Sequence, residues 1–221
     1  MKVVHRYYIL PKRDQKRKLW SFAFNLIIII AVIGFMAWST NFWLILVLVP
    51  LVISIYASFI DVPMGRNKGH IVYYSPLLLS SAIRNNTIQL HGGTLFDYYY
   101  TLSMQKSESR NKKAILYSYM EGMINMLDSF SEKQDDVKIE ANAYFINPHT
   151  AEKLGFKEVK TKNFQKIIML FNYVPITISY SIAIGKLSFP NILSLKSYEC
   201  TMGDLRKNRS KLEAMFERIN Q

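Results

Sequence analysis

The sequence predicts an α/β domain, a mixed sheet with crossover helices, preceded by a transmembrane α-helical hairpin. Three observations carry this. Two long apolar runs without a formal charge, residues 19–38 and 42–60, are separated only by Ser39-Thr40-Asn41. A segment with helical spacing of apolar residues, 114–130, is followed by one with two-residue alternation, 137–145. The stretch INPHTAEKLGFKE, residues 146–158, then reads as a helix with its own start and stop, followed by a new strand.

The first eighteen residues form a basic segment: Lys2, Arg6, Lys12, Arg13, Lys16, Arg17 and Lys18 stand against Asp14 alone. Each apolar run has the roughly twenty residues that a helix needs to cross a bilayer core of about 30 Å. Trp20, Trp38 and Trp43 sit at the run ends, where amphipathic rings settle at an interface. Small residues Ala31, Gly34 and Ala37 on one run, and Ser54, Ala57 and Ser58 on the other, permit close backbone approach. Pro50 is expected to kink the second helix. A cleaved signal peptide is disfavoured, because the second run begins at once and no small-residue cleavage site precedes it.

By the positive-inside rule both termini are expected in the cytoplasm, and the expected location is a bacterial inner membrane, as an integral protein. The chain of 221 residues carries a net charge of +12, and residues 61–221 hold +6 of it. A basic lobe of this kind is expected to lie against anionic lipids. Nucleic acid is the rival partner for such charge, and the absence of an interleaved basic-aromatic groove argues against it. The single cysteine, Cys200, excludes an internal disulfide and reads as a buried apolar residue.

Beyond the hairpin, residues 61–69 read as a Pro/Gly-containing linker, 71–74 as a strand and 76–83 as a short helix. Residues 87–91 and 94–102 read as strands of a hairpin turning on Gly92-Gly93. Residues 105–113, QKSESRNKK, read as a basic loop before the helix over 114–130. Asn147 is placed to cap the short helix, Pro148 to begin it and Gly155 to end it. Residues 156–159 form the next strand. The uncharged stretch 167–185 reads as buried strands, as a surface on the bilayer, or as a third span. Residues 204–219 read as an amphipathic helix with Leu205, Leu212, Met215, Phe216 and Ile219 on one face.

The order strand, basic loop, helix, strand, short helix, strand over residues 94–159 resembles the core of the GNAT family of N-acetyltransferases. The motif residues are Asn147, Ala151, Lys153, Leu154, Gly155 and Phe156, which resemble the family's closing signature. The resemblance implies that a loop at a helix N-terminus holds the pyrophosphate of acetyl-CoA or another acyl-CoA. Arg110, Asn111, Lys112, Lys113 and Ala114 stand at that loop, with Asn147 at the channel's close. It also implies that the strand over 137–146 splays from its neighbour to admit the pantetheine arm.

Acyl transfer to an amine needs a base and a proton donor. His91, Glu140 and Tyr144 are the candidate catalytic residues, with Asp97 beside them on the strands expected to line the cleft. His91 is the best base because imidazole titrates in the useful range; its alternative is a polar residue flanking the Gly92-Gly93 turn. No glycine occurs between Gln105 and Ala114, and Ala151 stands where the family often has a tyrosine. A second reading therefore stays open: a GNAT-like domain without chemistry that binds or assembles a membrane complex or a homo-oligomer. No sequence pattern for a metal site is present.

Overall fold

The computed structural model describes residues 3–102, 108–143, 148–191 and 194–220. Helix α1 (Lys12–Thr40) ends at Asn41, whose left-handed φ of 56° lets its N–H reach the Trp38 carbonyl. The chain then reverses through a 3₁₀ segment, Trp43–Val47, into α2 (Leu48–Asn67). Both arms are long and apolar enough to cross a membrane, and few of the residues in their apolar windows are buried by protein. Pro50 falls in the first turn of α2, just past the 3₁₀ segment, where a missing N–H costs little.

The linker expected over 61–69 is instead, as far as Asn67, the last turns of α2. Val62 and Pro63 are buried there, and the Arg66 guanidinium lies 3.7 Å over the Tyr8 ring. Packing holds helical a stretch whose Pro and Gly alone favour a break.

Strands β1 (Ile71–Ser75), β2 (Leu78–Ser81) and β3 (Thr87–Gly92) form an antiparallel meander. The helix expected over 76–83 is thus a turn and a strand, β2, whose Leu78, Leu79 and Ser80 are buried. The strand expected over 94–102 is helix α3 (Leu95–Thr101). Thr94 and Asp97 form its capping box, and Leu95, Phe96, Tyr98 and Tyr100 are all buried. Gly92-Gly93 therefore leads from strand to helix and closes no hairpin.

Helix α4 (Glu108–Ser129) begins within the segment read as a basic loop. Beyond it lie β4 (Lys138–Ala143), the short helix α5 (Pro148–Lys153) and β5 (Lys157–Val159), as the sequence patterns predict. Gly155, at φ 93°, provides the left-handed residue that ends α5. The uncharged stretch read partly as strands is two helices, α6 (Asn163–Phe171) and α7 (Tyr173–Ile184), bent by 72° at Asn172. Strand β6 (Lys196–Thr201) follows. The C-terminal amphipathic helix is broken at Asn208 into α8 (Met202–Lys207) and α9 (Arg209–Asn220), with Leu205 and Leu212 fully buried.

The six strands of the described residues form one mixed sheet in the order β1-β2-β3-β4-β6-β5. The β3/β4 pair is parallel and the other pairs are antiparallel. One core joins Ile88 and Leu90 of β3, Ile139 and Ala141 of β4, and the α4 stripe Ile115, Tyr119, Met123 and Leu127. A second cluster, Tyr7, Val62, Phe96 and Tyr100, ties the segment before α1 to α2 and α3. The basic N-terminal stretch is thereby part of the folded body.

Candidate functional site

The candidate site lies where β3 and β4 run toward their C-terminal ends. Their parallel ladder pairs Thr87 with Lys138, Ile88 with Ile139, Gln89 with Glu140 and Leu90 with Ala141, and goes no further among the described residues. Both strands continue. On its other side β3 stays paired through His91 and Gly92 to β2, and β4 through Asn142 and Ala143 to β6. Each strand is held by its outer neighbour over these residues, while no further β3–β4 pair follows among the described residues.

Gly92 lies just past the last pair. A side chain at that position would collide with the Tyr119 hydroxyl, so glycine is what lets α4 place a phenol against the end of β3. The Tyr98 hydroxyl, from α3, lies 3.3 Å from that of Tyr119. Burial pushes the pKa of Tyr98 up, which keeps this phenol a protonated donor. Tyr119 was legible only as one apolar position of a helical stripe. The lone signal for its placement was the glycine at 92.

His91 is the β3 residue next after the last ladder pair. Its imidazole reaches solvent, but the protein packed around it lowers its pKa from the ordinary value. Strand alternation puts His91 on the face opposite the buried Ile88 and Leu90. Glu140, paired with Gln89, shares that face. Its neighbours form a charged ladder in which Lys138 Nζ lies 2.6 Å from Glu199 and 3.8 Å from Glu140. Glu140 thus sits within the ladder rather than past it. Tyr144 and Asn147 lie outside the described residues.

The residues expected at a phosphate loop divide into two sets on α4. Asn111 is fully buried and donates its amide to the Ile182 carbonyl of α7 at 2.9 Å. Ala114 is buried in the core. Arg110, Lys112 and Lys113 are exposed, and Lys112 pairs with Glu108 one turn earlier. Glu108, Ser109, Lys112, Lys113 and Leu116 line an open groove of about 730 Å³ with Arg218 and Ile219 of α9. Its polar wall is mostly cationic and its floor includes apolar side chains.

Asp97, placed beside the cleft by the strand reading, belongs elsewhere. As the third residue of α3 it accepts from Thr94 N at 2.7 Å and Thr94 Oγ1 at 2.8 Å. Its other oxygen accepts from Tyr73 Oη at 2.6 Å and lies 3.2 Å from His5 Nε2. Cys200 is buried, which pushes its thiol pKa up and makes it a poor nucleophile.

No family model, curated protein or solved structure matches the chain. The geometry therefore stands by itself. It combines two membrane-length apolar helices with a mixed α/β sheet whose β3/β4 pairing goes no further than Leu90 and Ala141 among the described residues.

Proposed function

We propose that the chain is a membrane-anchored, GNAT-like protein that binds an acyl-CoA and transfers its acyl group to an amine held at the membrane surface. The observation that carries this is that the β3/β4 pairing goes no further than Leu90 and Ala141 among the described residues. An arm bearing amide groups, such as pantetheine, fits between two strand edges that no longer bond to each other. With β3 standing in for the strand expected over 94–102, which is helix α3, the order β3, helices, β4, short helix, β5 supports the resemblance to the family, as does the glycine stop at Gly155.

In the transfer, the amine nitrogen attacks the thioester carbonyl carbon, the C–S bond breaks, and the thiolate leaves with the electron pair. The amine gives up a proton and the thiolate takes one. His91 is the base, since its lowered pKa leaves it neutral near pH 7. Tyr119 meets Gly92 on the buried face opposite His91, so the thiolate takes its proton from solvent or from the imidazolium that His91 becomes. Lys112 and Lys113 bind the coenzyme's phosphates as point charges. The membrane arms raise the effective concentration of a lipid-linked or membrane-protein amine, and the chain is oriented with this domain on the cytoplasmic side.

A second reading keeps the fold and drops the chemistry, leaving a binding or assembly subunit for a membrane-protein partner or a second copy. The burial of Asn111 and Ala114 favours it, because both are engaged in packing. Calorimetry of the full chain in lipid nanodiscs, titrated with coenzyme A and acyl-CoAs, separates the two. Micromolar binding that is weakened at least tenfold by Lys112→Glu with Lys113→Glu supports the transferase. Absence of binding, with a membrane protein co-purifying in fixed ratio, supports the subunit.

A further inference from the structure

Helix α6 is built inside out. Phe164, Ile167, Ile168, Leu170 and Phe171 are all exposed, at 44 to 75% of their surface. At 100° per residue, Phe164, Ile167, Ile168 and Phe171 fall on one face. The opposite side carries Gln165, which accepts from Ser197 Oγ of β6 at 3.2 Å, and the half-buried Met169. The edge with Gln165 and Met169 thus meets protein, while the apolar face is left uncovered. Five clustered exposed apolar residues on nine mark a surface that something covers.

Two facts identify the cover as lipid. The first is continuity: α7, joined to α6 through Asn172 alone, packs against α2, one of the two membrane-length helices. The second is charge. Lys160 and Lys162 lie in the chain just before α6, Lys166 lies on its far side and Lys186 follows α7; all four are exposed. Lysines around a helix with an apolar face suit anionic headgroups.

We propose that α6 is an in-plane membrane anchor, lying in the headgroup region of an anionic leaflet with Phe164, Ile167, Ile168 and Phe171 turned into the acyl boundary. It is not half of a third span. Nine residues at 1.5 Å each reach about 13 Å, well short of a bilayer core of about 30 Å. Helix α7 does not supply the remainder. It turns away by 72°, packs against α2, α3 and α4, and buries Pro175, Thr177, Ser179, Ser181, Ile182 and Ala183. The inference rests on the membrane hairpin and not on acyl-CoA binding.

The test places single nitroxide labels at positions 164, 168 and 171, and at 165, in the full chain carrying Cys200→Ala. The chain is reconstituted in vesicles of phosphatidylcholine and phosphatidylglycerol. Oxygen and a water-soluble nickel complex then report depth. Similar shallow immersion at 164, 168 and 171, with 165 shielded from both reagents, is the expected result. Nickel access at the three apolar positions overturns the proposal, as does a depth that increases steadily from 164 to 171. Dipolar broadening that disappears on dilution with unlabelled chain also overturns it, in favour of a second copy. Omitting phosphatidylglycerol is expected to lower oxygen exposure at 168; unchanged exposure removes the role given to the lysines.

Discussion

The His5 imidazole and the Asp97 carboxylate lie 3.2 Å apart, across 92 residues of chain, both buried. The contact joins the segment preceding α1 to the first turn of α3. Around it, Phe96, Tyr100 and Tyr8 rings pack against His5 with centroids 4.5 to 5.9 Å away. Asp97 also organises its own helix start and the Tyr73 hydroxyl of β1. One carboxylate therefore connects the N-terminal segment, the sheet edge and the helix that follows β3.

Replacing Asp97 with Ala removes the acceptor for Thr94, Tyr73 and His5 together, leaving the buried His5 and the half-buried Thr94 and Tyr73 without it. The expected cost is about 3 kcal/mol, and about 1 kcal/mol for His5→Ala. The double variant is expected to lose less than the sum of the two, because they share one interaction. Unfolding curves in detergent micelles measure all three, and strict additivity contradicts the link.

Just past the last β3/β4 pair, Gly92→Ala is expected to destabilise by about 1–3 kcal/mol through overpacking against the Tyr119 hydroxyl. Tyr119→Phe takes away the colliding atom. Combining the two is expected to recover most of the loss. If Gly92→Ala costs the same in both backgrounds, Tyr119 does not approach β3 as described.

Gly155→Ala places a side chain on a residue at φ 93°, with its Cβ about 3.1 Å from the Asp204 carbonyl oxygen. Left-handed strain alone costs roughly 1–2 kcal/mol. A melting temperature equal to that of the unaltered chain would show that α5 ends some other way.

His91 has a pKa below the ordinary imidazole value in the folded chain. Between that pKa and about 6.5 the unfolded chain binds a proton that the folded chain does not, so stability falls as pH drops through 6.5. His91→Gln is expected to flatten that part of the profile. Imidazole resonances followed by NMR should place the His91 midpoint below 6.5, and a midpoint above it reverses the sign.

Legibility followed the range of the forces involved. The stripe at Ile115, Tyr119, Met123 and Leu127 and the alternation through Ile139 and Ala141 are local repeats, and both became the elements they predict. Residues 95–101 misled because Phe96 and Tyr98-Tyr99-Tyr100 favour strands by propensity. The Thr94 and Asp97 capping pair was the better signal, and burial on both sides of α3 made it prevail. The last turns of α2 contain Pro63 and Gly65, which punctuate a free chain, yet Val62 and Arg66 hold them helical by contact. At the candidate site, His91 was recognisable from its chemistry. Tyr119 was not, since nothing in its neighbours shows that a glycine 27 residues earlier stands against its hydroxyl.

What the sequence alone determined was whatever depends on near neighbours: two membrane-length arms, the helical and alternating stripes, and the stop at Gly155. Tertiary structure decided that β3 pairs with β4, which face of α6 is left uncovered, and that His5 reaches Asp97. The first set follows from periods of about two and 3.6 residues written into adjacent side chains. The second depends on which distant surfaces bury one another.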